Sequence, residues 1–130
     1  MDSTKLGIVC VSDAREPLQM AAMIASVAAV SGRPVLVLVA MNALRHFVRE
    51  ARPRAPAQGR AGEILEEKHV TDFQALFAHA IELGGARIHP CSMAMDVLGL
   101  ARDDLDANLG EPMGLMQFLD EAAGGQLLSF

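Results

Sequence analysis

The chain contains two cysteines, and only Cys91 lies in a pattern that favours thiol chemistry. Residues 86–89 predict a short strand that Pro90 ends, and residues 92–98 predict a helix that stops at Gly99. We therefore expect Cys91 at a strand-to-helix turn, with its thiol open to solvent. The partial positive charge at a helix N-terminus favours the thiolate, which is the nucleophilic form of cysteine. This position predicts a reactive cysteine.

A helix terminus does not activate a thiol on its own. It contributes about 0.3 to 1 kcal/mol at an exposed site, which leaves most of an ordinary thiol protonated near neutral pH. A further positive charge would be needed, and His89 or an arginine from elsewhere in the chain could supply it. Asp96, on the same predicted helix, would act in the opposite direction. The residues leave this balance open.

Several other chemistries are disfavoured by the motifs. No glycine-rich loop follows the first predicted strand, which argues against a dinucleotide site or a P-loop, and there is no C-x-x-C pair of the thioredoxin type. The four histidines show no metal-ligand spacing, so we expect neither a metal nor a cofactor. Cys10 lies inside an apolar run and is expected in the core, with a redox pairing to Cys91 as the alternative.

Strands and helices alternate along the chain. Residues 5–11 and 34–40 are continuous apolar runs, typical of strands covered on both faces. Two shorter strands are predicted at 86–89 and 126–130. The predicted helices are 17–31, 43–51, 63–68, 71–83, 92–98 and 112–123. This order predicts a single domain, residues 1–130, with a three-layer α/β/α fold and a mainly parallel sheet of about five strands. Residues 52–62 are rich in Arg, Pro and Gly and are predicted to form a mobile loop.

The carboxyl ends of parallel strands meet at one edge of a sheet, where such folds gather their functional groups. The candidate pocket is therefore formed by the turns that follow the predicted strands, together with Cys91. Its candidate residues are Ser12, Asp13, Met41, Asn42, His89 and Ser92.

The predicted helix 17–31 has no charged residue between Glu16 and Arg33. A helix that is apolar all round is buried all round, either inside the domain or in a subunit interface. For a chain of 130 residues we favour the interface. A charged residue at Ala25 or Ala28 is expected to disrupt the assembly or the fold.

The charge pattern bears on partners and location. The net charge of -5 argues against nucleic acid as a general partner. Five arginines fall within residues 45–60, which predicts either a solvated loop or a surface that docks an acidic partner. The apolar run 18–30 is too short for a membrane span, and the polar first residues do not form a signal peptide. With so few cysteines, a reducing cytoplasm is expected.

The stretch CSMAMDVLGL at residues 91–100 resembles the DsrE/DsrF-like proteins of bacterial sulfur metabolism. It is most similar to their single-domain branch, often labelled peroxiredoxin-like, and Ala94 stands where that branch usually has Ser. Further matching positions are Asp104, Leu105, Phe118, Leu119, Ala122 and residues 127–130. The resemblance implies a three-layer α/β domain that assembles into homotrimers or homohexamers, in which the cysteine at position 91 carries a persulfide.

The resemblance implies a sulfur carrier, of the sulfurtransferase type, that accepts sulfane sulfur on Cys91 and passes it to a partner thiol protein. The alternative is a non-catalytic oligomeric binding or scaffold subunit of a sulfur-metabolism or redox complex. Peroxidase activity is disfavoured, because Ile88 stands where a peroxidatic site has a threonine that binds the peroxide.

Overall fold

A computed structural model describes residues 4–130 and contains one parallel sheet. Its four strands are β1 (Leu6–Cys10), β2 (Val35–Val39), β3 (Arg87–Pro90) and β4 (Gln126–Ser129). They lie in the order β3-β2-β1-β4, with Ile8 of the central β1 opposite Val37 on one side and Leu128 on the other. The predicted α/β fold with a parallel sheet is confirmed.

The sheet has four strands rather than the five or so predicted. The outer edge of β3 is occupied by residues 110–113, which pair with the chain through one isolated bridge, between Cys91 and Met113. Pro90 of β3 has no backbone N–H to donate to this segment, which removes one hydrogen bond that a longer ladder would need.

The helices that cover the sheet are short, apart from the first and third. They are α1 (Arg15–Val30), α2 (Arg60–Glu67), α3 (Phe73–Gly84), α4 (Ser92–Leu98) and α5 (Leu115–Ala122). Asp72 caps α3 by accepting a hydrogen bond from the Ala75 N–H. The predicted boundaries of α4 are confirmed, because its signals are local: Pro90 before it, and Gly99 after it at a φ of 68°.

The predicted helix at 43–51 is instead a 3₁₀ helix, Met41–Phe47. The chain then leaves the helical path, because Val48 forms an antiparallel bridge with Leu105. Hydrogen bonds from the Arg49 N–H to Asp104 and from the Asp106 N–H to Phe47 flank this bridge. Pairing with a distant segment therefore replaces the last helical turn.

One face of α1 is built from small residues and packs inside the domain. Ala25 is fully buried and Ala28 nearly so, and both lie on the face that includes Ala29. A Cβ at Gly84 of α3 would lie 2.5 Å from the Ala29 Cβ, so the two helices approach very closely. A charged residue at Ala25 or Ala28 would therefore destabilise the folded chain itself.

The opposite face of α1 is exposed and apolar, so the helix is not buried all round within one chain. Its exposed side chains are Met20, Met23, Val27 and Val30, with exposed fractions between 44% and 69%.

The arginine-rich segment is attached to the rest of the domain. The Glu16 carboxylate accepts hydrogen bonds from the backbone N–H groups of Gln58, Gly59 and Gly62, at 2.7, 2.7 and 3.0 Å. The guanidinium of Arg15 donates to the carbonyl groups of Ala55 and Gly62. These contacts between α1 and a distant loop were not indicated by the composition of the loop.

The arginines of this region form ion pairs within the chain. The pairs are Arg45 with Asp13, Arg52 with Asp106, Arg54 with Glu66, and Arg60 with Glu63 and Glu67. The arginine cluster is therefore neither purely solvated nor a free basic surface for an acidic partner.

Replacement of Glu16 by Gln tests the attachment of the loop. Hydrogen bonds from the backbone N–H of Gln58, and then from Gly59 and Gly62, hold the pKa of Glu16 below its usual value. Because the pKa is lower in the folded state, the ionised carboxylate stabilises the fold above about pH 4.3, the ordinary value for a glutamate, and this contribution is lost as the pH falls. Denaturant unfolding of Glu16→Gln should show a stability deficit at pH 7 that shrinks on acidification.

The control for this measurement is Glu82→Gln, which alters an exposed residue of α3. It should show little deficit at either pH. If the loss of stability in Glu16→Gln did not change with pH, the Glu16 carboxylate would not be what attaches the loop to α1.

Candidate functional site

The three strands β1, β2 and β3 end in register at one edge of the sheet. Cys10 pairs with Val39, and Val39 pairs with Pro90. The Cys91 N–H donates to the Val39 carbonyl at 2.9 Å, which fixes the turn after β3 against the end of β2. The predicted pocket residues therefore follow strands at this edge, except for His89, which lies within β3.

Cys91 is buried at this edge, with 6% of the residue exposed. It is the N-terminal cap residue of α4, but its side chain makes no capping hydrogen bond. Its bridge partner Met113 is 2% exposed, and the Ser92 N–H donates to the Met113 carbonyl at 3.1 Å. The expectation of an open thiol is therefore wrong in this conformation, because residues 110–113 lie beside the turn.

The first turn of α4 offers fewer free donors than the sequence predicts. The Ser92 N–H is already bonded to Met113, and the Met95 N–H donates to the Cys91 carbonyl. Within residues 4–130, the N–H groups of Met93 and Ala94 have no acceptor. They are the unpaired backbone donors of the turn that follows Cys91.

Cys10 is an inert thiol by comparison. It is fully buried in β1, and burial raises the pKa of the thiol to about 12. Both cysteines are free, so no disulfide joins them. The prediction that Cys10 is a core residue is confirmed.

The remaining pocket candidates differ in their surroundings. Met41, Asn42 and Ser92 are exposed, and Met41 has a positive φ of 50°, an uncommon conformation for a residue with a side chain. Ser12 is partly buried, and its hydroxyl oxygen accepts from the Ala14 N–H. Only the first three therefore present side chains freely at the edge.

Asp13 is held by a residue that the sequence did not single out. Its Oδ1 lies 2.6 Å from Nε2 of His46, and Nδ1 of His46 lies 3.0 Å from the Pro53 carbonyl oxygen. His46 is 1% exposed, and Arg45 approaches the other carboxylate oxygen of Asp13 at 3.7 Å. Asp13 therefore anchors the arginine-rich loop. No local spacing connects residues 13 and 46; only their positions after adjacent strands could have done so.

His89 contacts the segment that covers Cys91. Its Nδ1 donates to the Glu111 carbonyl at 2.8 Å, while its Nε2 is buried and has no partner in the described chain. The His89 ring makes no hydrogen bond to Cys91.

The described residues contain no group of three or more His, Cys, Asp or Glu side chains that could hold a metal. None of the helices in residues 4–130 is long and apolar enough to cross a membrane.

The family model of the DsrE/DsrF/DrsH-like proteins matches residues 57–128, which is more than half of the chain and includes Cys91. The chain belongs to this family. The resemblance predicted from residues 91–100 is thus confirmed.

Two solved structures share the fold of this DsrE/DsrF/DrsH-like chain. MTH1491 from Methanobacterium thermoautotrophicum, described as a protein of unknown function, superimposes with a TM-score of 0.69 at 10% identity. The ychN protein from E. coli superimposes with a TM-score of 0.63 at 13% identity. Each comparison covers 98% of this chain and 99% of the other. None of the curated protein sequences shows significant similarity.

Proposed function

We propose that this DsrE/DsrF/DrsH-like protein is a sulfur carrier that accepts sulfane sulfur on Cys91 and passes it to the thiol of a partner protein. The observation that carries the proposal is the position of Cys91 at the carboxyl edge of the parallel sheet, directly before the exposed Ser92 and Met93. The other thiol, Cys10, is sealed in the core. The partners would be thiol or persulfide carrier proteins in a reducing cytoplasm.

The transfer needs only thiol and persulfide chemistry. The Cys91 thiolate attacks the outer sulfur of a donor persulfide; the donor S–S bond breaks, the donor leaves as a thiolate, and a persulfide forms on Cys91. An acceptor thiolate then attacks the same outer sulfur, and Cys91 leaves as a thiolate. Neither step consumes an oxidant or reductant. We expect the N–H groups of Met93 and Ala94 to stabilise the negative charge of the bound perthiolate.

Sulfur loading tests the proposal directly. Thiosulfate can serve as donor, because attack by the Cys91 thiolate on its outer sulfur leaves the persulfide and releases sulfite. We expect the parent protein and Cys10→Ser to gain the mass of one sulfur atom by intact mass spectrometry, and Cys91→Ser to gain none. A loaded sulfurtransferase is the second donor to use.

Cys10→Ser is the matched control, since it removes the other thiol of the chain. If Cys91→Ser takes up as much sulfur as the parent with either donor, the carrier function is excluded.

A second candidate function, that of a non-catalytic oligomeric scaffold subunit, is favoured by two observations. Cys91 is only 6% exposed, and the outer face of α1 is apolar. This face borders a groove of about 430 Å³ that also includes Leu6 and Leu128. Exposed apolar patches of this kind mark interaction surfaces. We propose that the face joins copies of the chain, as a homotrimer or homohexamer, under either function.

Replacement of Val27 by Asp tests the assembly surface. Val27 is 69% exposed, so a charge there should leave the folded chain intact but reduce the size of the assembly in sedimentation analysis. The control is Val97→Asp on α4, where the side chain is 75% exposed and outside this face. An assembly that is unchanged by Val27→Asp, or is reduced only by Val97→Asp, would place the interface elsewhere.

A further inference from the structure

We propose that residues 109–114, here called the strap, close over Cys91 and must move away before its sulfur can react. The role of the strap in sulfur transfer rests on the proposed carrier function. Whether the strap covers the Cys91 thiol and can move away can be tested without any sulfur donor.

The strap is bound along the outer edge of β3 by a small set of hydrogen bonds. Each of these bonds joins it to residues 88–92, immediately around Cys91. They run from the Gly110 N–H to Ile88 (2.8 Å), from the Met113 N–H to Pro90 (2.9 Å), from the Ser92 N–H to Met113 (3.1 Å), and from the His89 Nδ1 to Glu111 (2.8 Å).

The two sides of Cys91 differ in how firmly they are held. On one side its N–H is bonded to Val39 of β2, a strand paired along its full length with β1. On the other side its neighbour is Met113 of the strap, joined by an isolated bridge. The strap is therefore the part of the enclosure that can be removed without breaking the sheet.

The closed strap is poorly stabilised in its middle. Glu111 and Pro112 are exposed, and Leu109 and Met113 are the buried residues of the strap. Closure also leaves Nε2 of His89 buried without a partner, although a buried acceptor is destabilising unless it is hydrogen-bonded. If the strap opened, water could hydrogen-bond to this nitrogen. The free-energy difference between the closed and the open strap is therefore smaller than it would be if the nitrogen had a partner in the closed state.

Gly110 approaches the His89 ring closely in the closed strap. A Cβ at this position would lie 2.4 Å from Cε1 and 2.6 Å from Nδ1 of the His89 ring. An alanine there cannot keep the present contact with the ring. Gly114, four residues along, has room for a Cβ, whose nearest neighbour would be the Ser92 hydroxyl at 3.9 Å. The two glycines therefore provide a matched pair of substitutions.

Alkylation of the native protein by iodoacetamide, followed by peptide mass spectrometry, measures how often each thiol is uncovered. We expect slow labelling of Cys91 in the parent. Gly110→Ala should accelerate it by about tenfold or more, the factor that corresponds to the common free-energy cost of overpacking. Gly114→Ala should leave the rate unchanged. Cys10 should stay unlabelled throughout, since its labelling reports global unfolding.

A second pair of variants covers the case in which Gly110→Ala fails to fold. Met113→Ala shortens the buried neighbour of Cys91 and keeps the backbone hydrogen bonds, so Cys91 labelling should rise; Met116→Ala, at a residue that is 79% exposed, should have no effect. The proposal that the strap covers Cys91 is wrong if Gly110→Ala and Met113→Ala fold but leave the rate of Cys91 labelling unchanged. It is also wrong if Gly114→Ala and Met116→Ala raise that rate equally.

The strap and the carrier function fail in different ways. If Gly110→Ala speeds alkylation while no variant takes up sulfur, the strap stands and the carrier function is excluded. If Cys91 takes up sulfur while the strap variants leave its alkylation rate unchanged, the function stands and the strap is excluded.

Discussion

The parallel register of β1, β2 and β3 is the constraint on which the rest of the structure depends. Because these strands end together, the turns that follow them share one edge, and Cys91 is fixed there by the bond from its N–H to Val39. The central strands are continuous apolar runs that are buried on both faces, of which VLVLV in β2 is the clearest. The packing of the core therefore fixes where the backbone of Cys91 lies, and with it the place where the thiol can react.

The two cysteines show how position controls thiol chemistry. Cys10 lies inside β1, where burial raises its pKa to about 12 and it behaves as a small apolar residue. Cys91 is one residue past the end of β3, where it is buried beside its bridge partner, Met113 of the strap. The proposed strap makes the enclosure of the Cys91 sulfur reversible, whereas the Cys10 sulfur is enclosed by the core, and the proposed carrier function requires this difference.

Features that depend on residues close together in the sequence could be predicted, and features that depend on residues far apart could not. The fold class, the bounds of α4 and the core role of Cys10 rest on local signals, such as Pro90, Gly99 and apolar runs, and these predictions are confirmed. Three contacts join residues more than twenty positions apart: the bridge between Cys91 and Met113, the hydrogen bonds from residues 58–62 to Glu16, and the Asp13–His46 contact. Such contacts depend on the path of the chain after Phe47 and Leu109, and no local pattern encodes them.

Amide hydrogen exchange on the native protein tests most directly whether a movable segment covers Cys91 beside a fixed sheet. The N–H groups of Gly110, Met113 and Ser92 all take part in bonds of the closed strap, whereas the Cys91 N–H is bonded to Val39. We expect the first three to exchange together and well before the fourth, through an opening that leaves the sheet intact. Exchange of all four at the slow rate of global unfolding would contradict it, because the thiol would then be as permanently enclosed as Cys10.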